Sequence, residues 1–160
     1  MKITRREFTI AASQAAVATP VAAMSAAPAE TAAANPEPTT DFLPDRAVAK
    51  FAKVNGIQLH YVTVGTGPAV ILLHGWPQTW FAWAGAMERL APHFTVIAPD
   101  LRGIGLSERT PAGYDKRTIA EDIRALIAHA AADRAHVVAH DMGGKAAYIL
   151  AHLHPECIGK

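Results

Sequence analysis

Asp141 stands in the run Ala139-His140-Asp141-Met142-Gly143, a carboxylate at the corner between an apolar strand and an apolar-faced helix. Small residues two places before and two after it suit a turn so sharp that the strand and helix backbones come close together. A carboxylate in that position is ionised at neutral pH, so it can attack an electrophilic carbon without a base to remove a proton. That chemistry fits displacement at a saturated carbon: the opening of an epoxide or the expulsion of a halide. The same five residues also read as a plain helix cap, because Asp is favoured at helix N-termini. Alone they leave both readings open.

The flanking sequence says what positions this residue. Val137, Val138 and Ala139 are consecutive apolar residues, which predicts a parallel strand, Ala135–Ala139, buried on both faces. A helix reads from Lys145, Ala146, Tyr148, Ile149 and Leu150 and is closed by Pro155. Asp141 then falls at the carboxyl end of a strand and the positive end of a helix, where open α/β sheets place their chemistry. Upstream, Val48–Val54 and Ile57–Val64 are β-type runs joined at Asn55-Gly56, a strong hairpin signal. Ala69–Leu73 is a fully apolar strand that leads into His74-Gly75-Trp76-Pro77. Helical spacing over Trp80–Leu90 precedes another apolar strand, Phe94–Ala98, and the loop from Pro99 to Ser107. Over Lys116–Ala131, Ile119, Ile123, Leu126, Ile127 and Ala130 make one helical face. Hairpin, strand, helix, strand, helix, strand, helix is the order of an α/β fold, with a mostly parallel sheet and helices on both faces.

Composition narrows the function classes. With 51% hydrophobic and 18% charged residues the chain is globular, and a net charge of +1 gives no basic face for nucleic acid. Cys157 is the sole cysteine, so there is no internal disulfide framework. Lys2, Arg5 and Arg6 precede a mildly apolar run from Ile10 to Met24, so residues 1–29 resemble a twin-arginine export signal ending at Ala27-Pro28-Ala29. That resemblance implies the twin-arginine export machinery as a partner through Arg5 and Arg6, and a periplasmic or secreted destination. Ser13, Gln14, Thr19 and Pro20 interrupt the run, which makes it too weak for a stable membrane anchor. Residues 30–46, with Pro36, Pro38 and Pro44, read as a linker, leaving 47–160 as the domain.

Three motifs carry a family resemblance: LLHGWPQTW after the third strand, APDLRGIGLSE after the fourth and VAHDMGGKAA at the corner. Together they resemble the α/β-hydrolase superfamily, in its branch with an aspartate nucleophile, over about residues 48–160. That branch includes epoxide hydrolases and dehalogenases. The resemblance implies an α/β-hydrolase fold, truncated after the helix that follows Asp141. It implies that Asp141 forms an alkyl-enzyme ester and that the backbone N–H groups of Trp76 and Met142 form the oxyanion hole. Gly75 and Gly143 would permit the close backbone approach, His74 would brace the loop, and the peptide before Pro77 would be cis. Asp100 and Arg102 would fix the loop after the fourth strand, with Gly103 and Gly105 making its turns. His140, beside the nucleophile on the opposite strand face, reads as packed or structural. Ser107 lies outside any G-x-S-x-G. The GIGLS piece lacks the third glycine of a dinucleotide fingerprint, and His152 and His154 are wrongly spaced for two ligands on one helix face, so no cofactor and no metal are implied.

The residues after Asp141 bear on the electrophile. Haloalkane dehalogenases usually carry Trp directly after the nucleophile, and Met142 has no such donor. Fluoroacetate dehalogenases usually place Arg there and again three residues later; Met142 and Lys145 leave at most one cation. Epoxide hydrolysis is the better fit by elimination, with dehalogenation of a haloalkane or haloacid as the alternative and an inactive remnant or binding module as a third reading. The family's lid, its orienting acid and its water-activating histidine all follow the segments matched here, and none of the eight histidines stands as that base. The 160-residue chain is therefore expected to be an N-terminal part without turnover of its own, its Ala135–Ala139 strand left as an apolar sheet edge.

Overall fold

The computed structural model describes residues 43–131 and 133–159. The expected export signal over 1–29, with Arg5 and Arg6, and the linker up to residue 42 lie outside the described residues. Strands β1 (Val48–Val54) and β2 (Ile57–Val64) form the expected hairpin, with Val54 opposite Ile57. Asn55 and Gly56 both take positive φ, 44° and 78°, the two-residue turn whose twist matches that of the strands it joins.

Three further strands, β3 (Ala69–Leu73), β4 (Thr95–Pro99) and β5 (His136–Ala139), complete a sheet of order β1-β2-β4-β3-β5. β3 runs parallel to both β4 and β5, whereas β2 is antiparallel to both β1 and β4. The mostly parallel sheet expected from sequence is thus mixed. Its parallel half holds the strands that lead into the loops near Asp141, and the hairpin supplies the antiparallel half.

Side chains alternate across the sheet with the period of two that the pleat requires. Val70, Leu72, Val96 and Ala98 face one way, toward Met87 of α1 (Ala84–Leu90), which continues a 3₁₀ turn over Trp80–Trp83. Ile71, Leu73 and Ile97 face the other way, toward α2 (Lys116–Ala130) and α3 (Asp141–Leu153). Helices therefore cover both faces. Asp115 caps α2, its Oδ1 accepting from the Thr118 amide at 3.0 Å, and α3 gives way to a 3₁₀ turn at Pro155.

The β5 strand departs from expectation. Val137 and Ala139 are half-buried and Val138 is 45% exposed, so the strand is not buried on both faces. The physical reason is its place at the sheet edge, which the sequence reading also expects: among the described residues β5 pairs along its length with β3 alone, and its other side meets a single bridge from Ala135 to Ile158. That bridge is parallel, with the Ala135 amide donating to Cys157 O at 3.0 Å and the Gly159 amide to Ala135 O at 2.8 Å.

One buried carboxylate ties three elements together. Arg102, in the loop after β4, forks onto Asp122 of α2 with Nε–Oδ2 at 2.8 Å and Nη2–Oδ1 at 2.7 Å. Asp122 also accepts from Asn55 Nδ2 of the hairpin turn at 2.8 Å. Both charged partners are buried, so cutting the pair strands a guanidinium away from water. Asp122→Ala is expected to destabilise the fold by about 3–5 kcal/mol, against about 1 kcal/mol or less for Glu121→Gln in the part-exposed Arg124 pair one residue away. Urea midpoints followed by tryptophan fluorescence in dilute protein check this, and equal shifts for the two variants would contradict it.

Candidate active site

The corner that presents Asp141 is built from backbone contacts. His140 is extended (φ −142°, ψ 161°), and α3 then begins at Asp141 itself, so His140 and not Asp141 holds the cap position. Asp141 takes φ +50°, a left-handed conformation that a non-glycine residue holds only when its surroundings enforce it. The enforcement is visible: the His140 amide donates to Leu73 O at 3.4 Å, the Gly143 amide to His74 O at 3.1 Å and the Gly144 amide to His140 O at 3.1 Å. A Cβ on Gly143 would lie 2.5 Å from Leu73 O and 2.6 Å from His74 O. A Cβ on Gly75 would lie 2.7 Å from Asp141 Cβ. Both glycines are therefore dictated by close approach, as their sequence positions suggest.

The exposed Asp141 carboxylate points at the β3 loop. Its Oδ2 accepts from the Trp76 amide at 2.8 Å. Backbone hydrogen bonds from Trp76 and then Met142 hold its carboxyl below the usual carboxylate range, with smaller help from the Lys145 and His140 charges. The peptide between Trp76 and Pro77 is cis, as expected. His74 is fully buried; its Nδ1 lies 2.8 Å from Gly75 O, and its Nε2 accepts from the Leu101 amide at 3.0 Å. Those partners require a proton on Nδ1 and none on Nε2, and burial pushes the imidazole pKa down, so His74 is a neutral strut joining two loops. Gln78 closes the same loop, its Oε1 accepting from the Gly75 amide at 3.1 Å and its own amide donating to Gly75 O at 2.9 Å. His74, Gly75, Trp76, Asp141, Met142 and Gly143 are thus gathered at one corner. His140 turns away to an edge-to-face contact with Trp83, ring centroids 5.4 Å apart.

A second network fixes the loops around that corner. Asp100, buried at the end of β4, accepts from the Trp80 amide at 2.8 Å and the Leu106 amide at 3.0 Å, and its Oδ2 lies 2.9 Å from His60 Nδ1. Ser107 is a tie within it: Oγ donates to Asp100 O at 2.6 Å and accepts from the His60 amide at 2.9 Å. The sequence pattern pointed to Asp100 and Arg102 but missed His60 and Asp122. A histidine inside the apolar run Leu59–Val62 was the available signal, since a buried polar side chain needs a partner. Its identity depends on β2 pairing with β4, Tyr61 opposite Pro99, which no local pattern reveals.

A cleft of about 430 Å³ opens beside Asp141, lined by Lys116, Gly144, Lys145, Tyr148 and Ile149. Lys116, from the start of α2, adds a second cation to the one that sequence reading allowed. The corner can therefore do two things. It leaves one carboxylate oxygen without the Trp76 amide beside an open cleft, and it holds the other oxygen on that amide.

Comparison with known proteins agrees with this architecture. A family model of the alpha/beta hydrolase fold matches residues 68–160. The soluble epoxide hydrolase of Corynebacterium sp. (strain C12) is 50% identical over 101 residues, 63% of this chain and 35% of that protein. A fluoroacetate dehalogenase of Burkholderia sp. is 36% identical over 114 residues, 68% of this chain and 38% of that protein. Among solved structures, the ligand-free epoxide hydrolase CorEH superposes with a TM-score of 0.68 at 46% identity, over 70% of this chain and 40% of that one. The chain thus spans well under half the length of these relatives. With the strand order, the left-handed corner and the matched segment in agreement, the chain belongs to the α/β-hydrolase family.

Proposed function

We propose that this chain supplies the nucleophile of an epoxide hydrolase. The observation that carries the reading is the Trp76 amide on Asp141 Oδ2, because it divides the labour between the two carboxylate oxygens. Oδ1, which does not receive that amide, attacks a ring carbon of the epoxide. The ring C–O bond breaks, and the ring oxygen leaves with the electron pair and takes a proton from a donor elsewhere in the protein or from solvent. Oδ2 becomes the carbonyl oxygen of the resulting ester, already seated on its donor. When water then attacks the ester carbon, the charge gathers on Oδ2 between the Trp76 and Met142 amides. The similarity to a named soluble epoxide hydrolase supports this choice.

One observation favours a second reading. Lys116 and Lys145 share the cleft with Asp141, and two ammonium groups suit a substrate that carries its own carboxylate, such as a haloacid. In that case Oδ1 displaces halide from the carbon next to the carboxylate, and the carbon–halogen electron pair leaves with the halide.

Incubation of the chain with styrene oxide is expected to add one epoxide mass per molecule, mapped to Asp141 and absent from Asp141→Ala. The pH dependence follows from the lowered carboxyl pKa: the nucleophile is anionic above it, so the alkylation rate stays level as pH falls through the usual aspartate range and drops only below it. Adduct that persists in Asp141→Ala, or a rate that titrates near neutrality, would contradict the reading. Chloroacetate separates the two substrates. If the lysines hold a carboxylate, Lys145→Met slows halide release roughly ten- to a hundredfold while leaving styrene oxide alkylation unchanged; if both reagents respond alike, the carboxylate reading fails.

A further inference from the structure

At the other end of the sheet, away from Asp141, the amino end of β4 and the carboxyl end of β2 frame a polar pocket of about 430 Å³. Its polar lining comes from Arg46, Lys50, Tyr61, Thr63, Thr95 and His129, and no carboxylate lines it. We propose that this pocket binds a small oxyanion, a phosphate or the phosphate of a monoester, independently of the chemistry at Asp141.

The register places the donors together. Lys50 sits directly opposite Tyr61, and Val48 opposite Thr63, so Lys50, Tyr61 and Thr63 share one face of the hairpin. Tyr61 is only 4% exposed and lines the pocket, and its hydroxyl is not one of the buried polar atoms left without a partner, so it meets solvent there. An anion oxygen in the pocket would take the place of the water that otherwise meets that O–H. Burial raises the Tyr61 pKa, which keeps the hydroxyl a donor throughout the neutral range. The Tyr61 ring stands edge-on to His129 at 6.5 Å, an 85° angle that holds the phenol upright against the end of α2.

The competing charges are weak. The carboxylate paired with Arg46 is Asp45, at 3.9 Å, with both side chains at least 90% exposed, a contact too loose and too solvated to hold the guanidinium against an incoming anion. Lys50 has no ion pair among the described residues. The carboxyl end of α2 contributes roughly half a negative charge there, less than the two full positive charges of Arg46 and Lys50. A bland alternative exists for Lys50 alone, since lysine on an edge strand such as β1 discourages strand addition. It does not account for Arg46, Tyr61 and Thr63 lining the same pocket.

Amide chemical shifts of the ¹⁵N-labelled chain, followed through a titration with inorganic phosphate at constant ionic strength, test the proposal. Saturable shifts are expected at Lys50, Tyr61, Thr63 and His129, with none at Trp76 or Met142. Lys50→Gln, an exposed change, and Tyr61→Phe, which keeps the ring and removes only the hydroxyl, should each weaken the apparent affinity roughly tenfold. Glycerol 3-phosphate in a parallel titration distinguishes a bare oxyanion from a monoester, and saturation by either supports the site. Shifts that do not saturate with either ligand, that scatter over the surface, or that survive both substitutions would overturn it. Styrene oxide alkylation of Asp141 is independent of this result, so failure here leaves the proposed nucleophile untouched.

Discussion

A single hydrogen bond, from the Trp76 amide to Asp141 Oδ2, organises much of what surrounds it. For that bond to form, the carboxyl end of β5 must turn into α3 within one residue, which sets Asp141 at positive φ. The turn in turn brings the first helical residues against the end of β3, and only a residue without a Cβ fits where Gly143 meets the carbonyls of Leu73 and His74. The same holds where Gly75 passes the Asp141 side chain. Substitution at either glycine would push the amide and the carboxylate apart, so the electrostatics of the corner rest on steric fit.

The loops that deliver Trp76 are held from below by buried polar groups. His74 links the β3 loop to Leu101, and Asp100 links the β4 loop to the 3₁₀ turn at Trp80 and to β2 through His60. Neutral His74 donates and accepts once each, which suits a strut whose position must not change with pH. The Arg102–Asp122 pair extends the same scaffolding to α2 and the hairpin turn. Each of these groups is buried and holds at least one hydrogen bond, His60 through Nδ1 while its Nε2 has no partner among the described residues, so each adds specificity of loop position.

Much of this was legible in the sequence because it is local. The Asn55-Gly56 turn, the apolar strands at Ala69–Leu73 and Phe94–Ala98 and the apolar face of α2 follow from spacing and turn chemistry within a few residues. Asp141 was visible as a carboxylate where a helix begins. What the sequence did not reveal is long-range. The His60–Asp100 and Arg102–Asp122 partners are 40 and 20 residues apart and meet only through strand order and helix packing. The burial of β5 was overestimated because three apolar residues in a row report hydrophobicity but not whether a neighbour covers them. Which residue takes the cap was not legible either: Asp141 reads as a helix cap, yet His140 holds that position and Asp141 is the first residue of α3.

The most direct measurement of the account is the titration of the Asp141 side-chain carboxyl by ¹³C NMR. If two backbone amides hold the anion in place, the resonance titrates clearly below the ordinary aspartate value of about 3.9, and it does so with the flanking amide shifts of Trp76 and Met142 moving in step. A carboxyl that titrates at or above that value, with those amides unmoved, would mean that the oxygen pair is not held where a nucleophile must be.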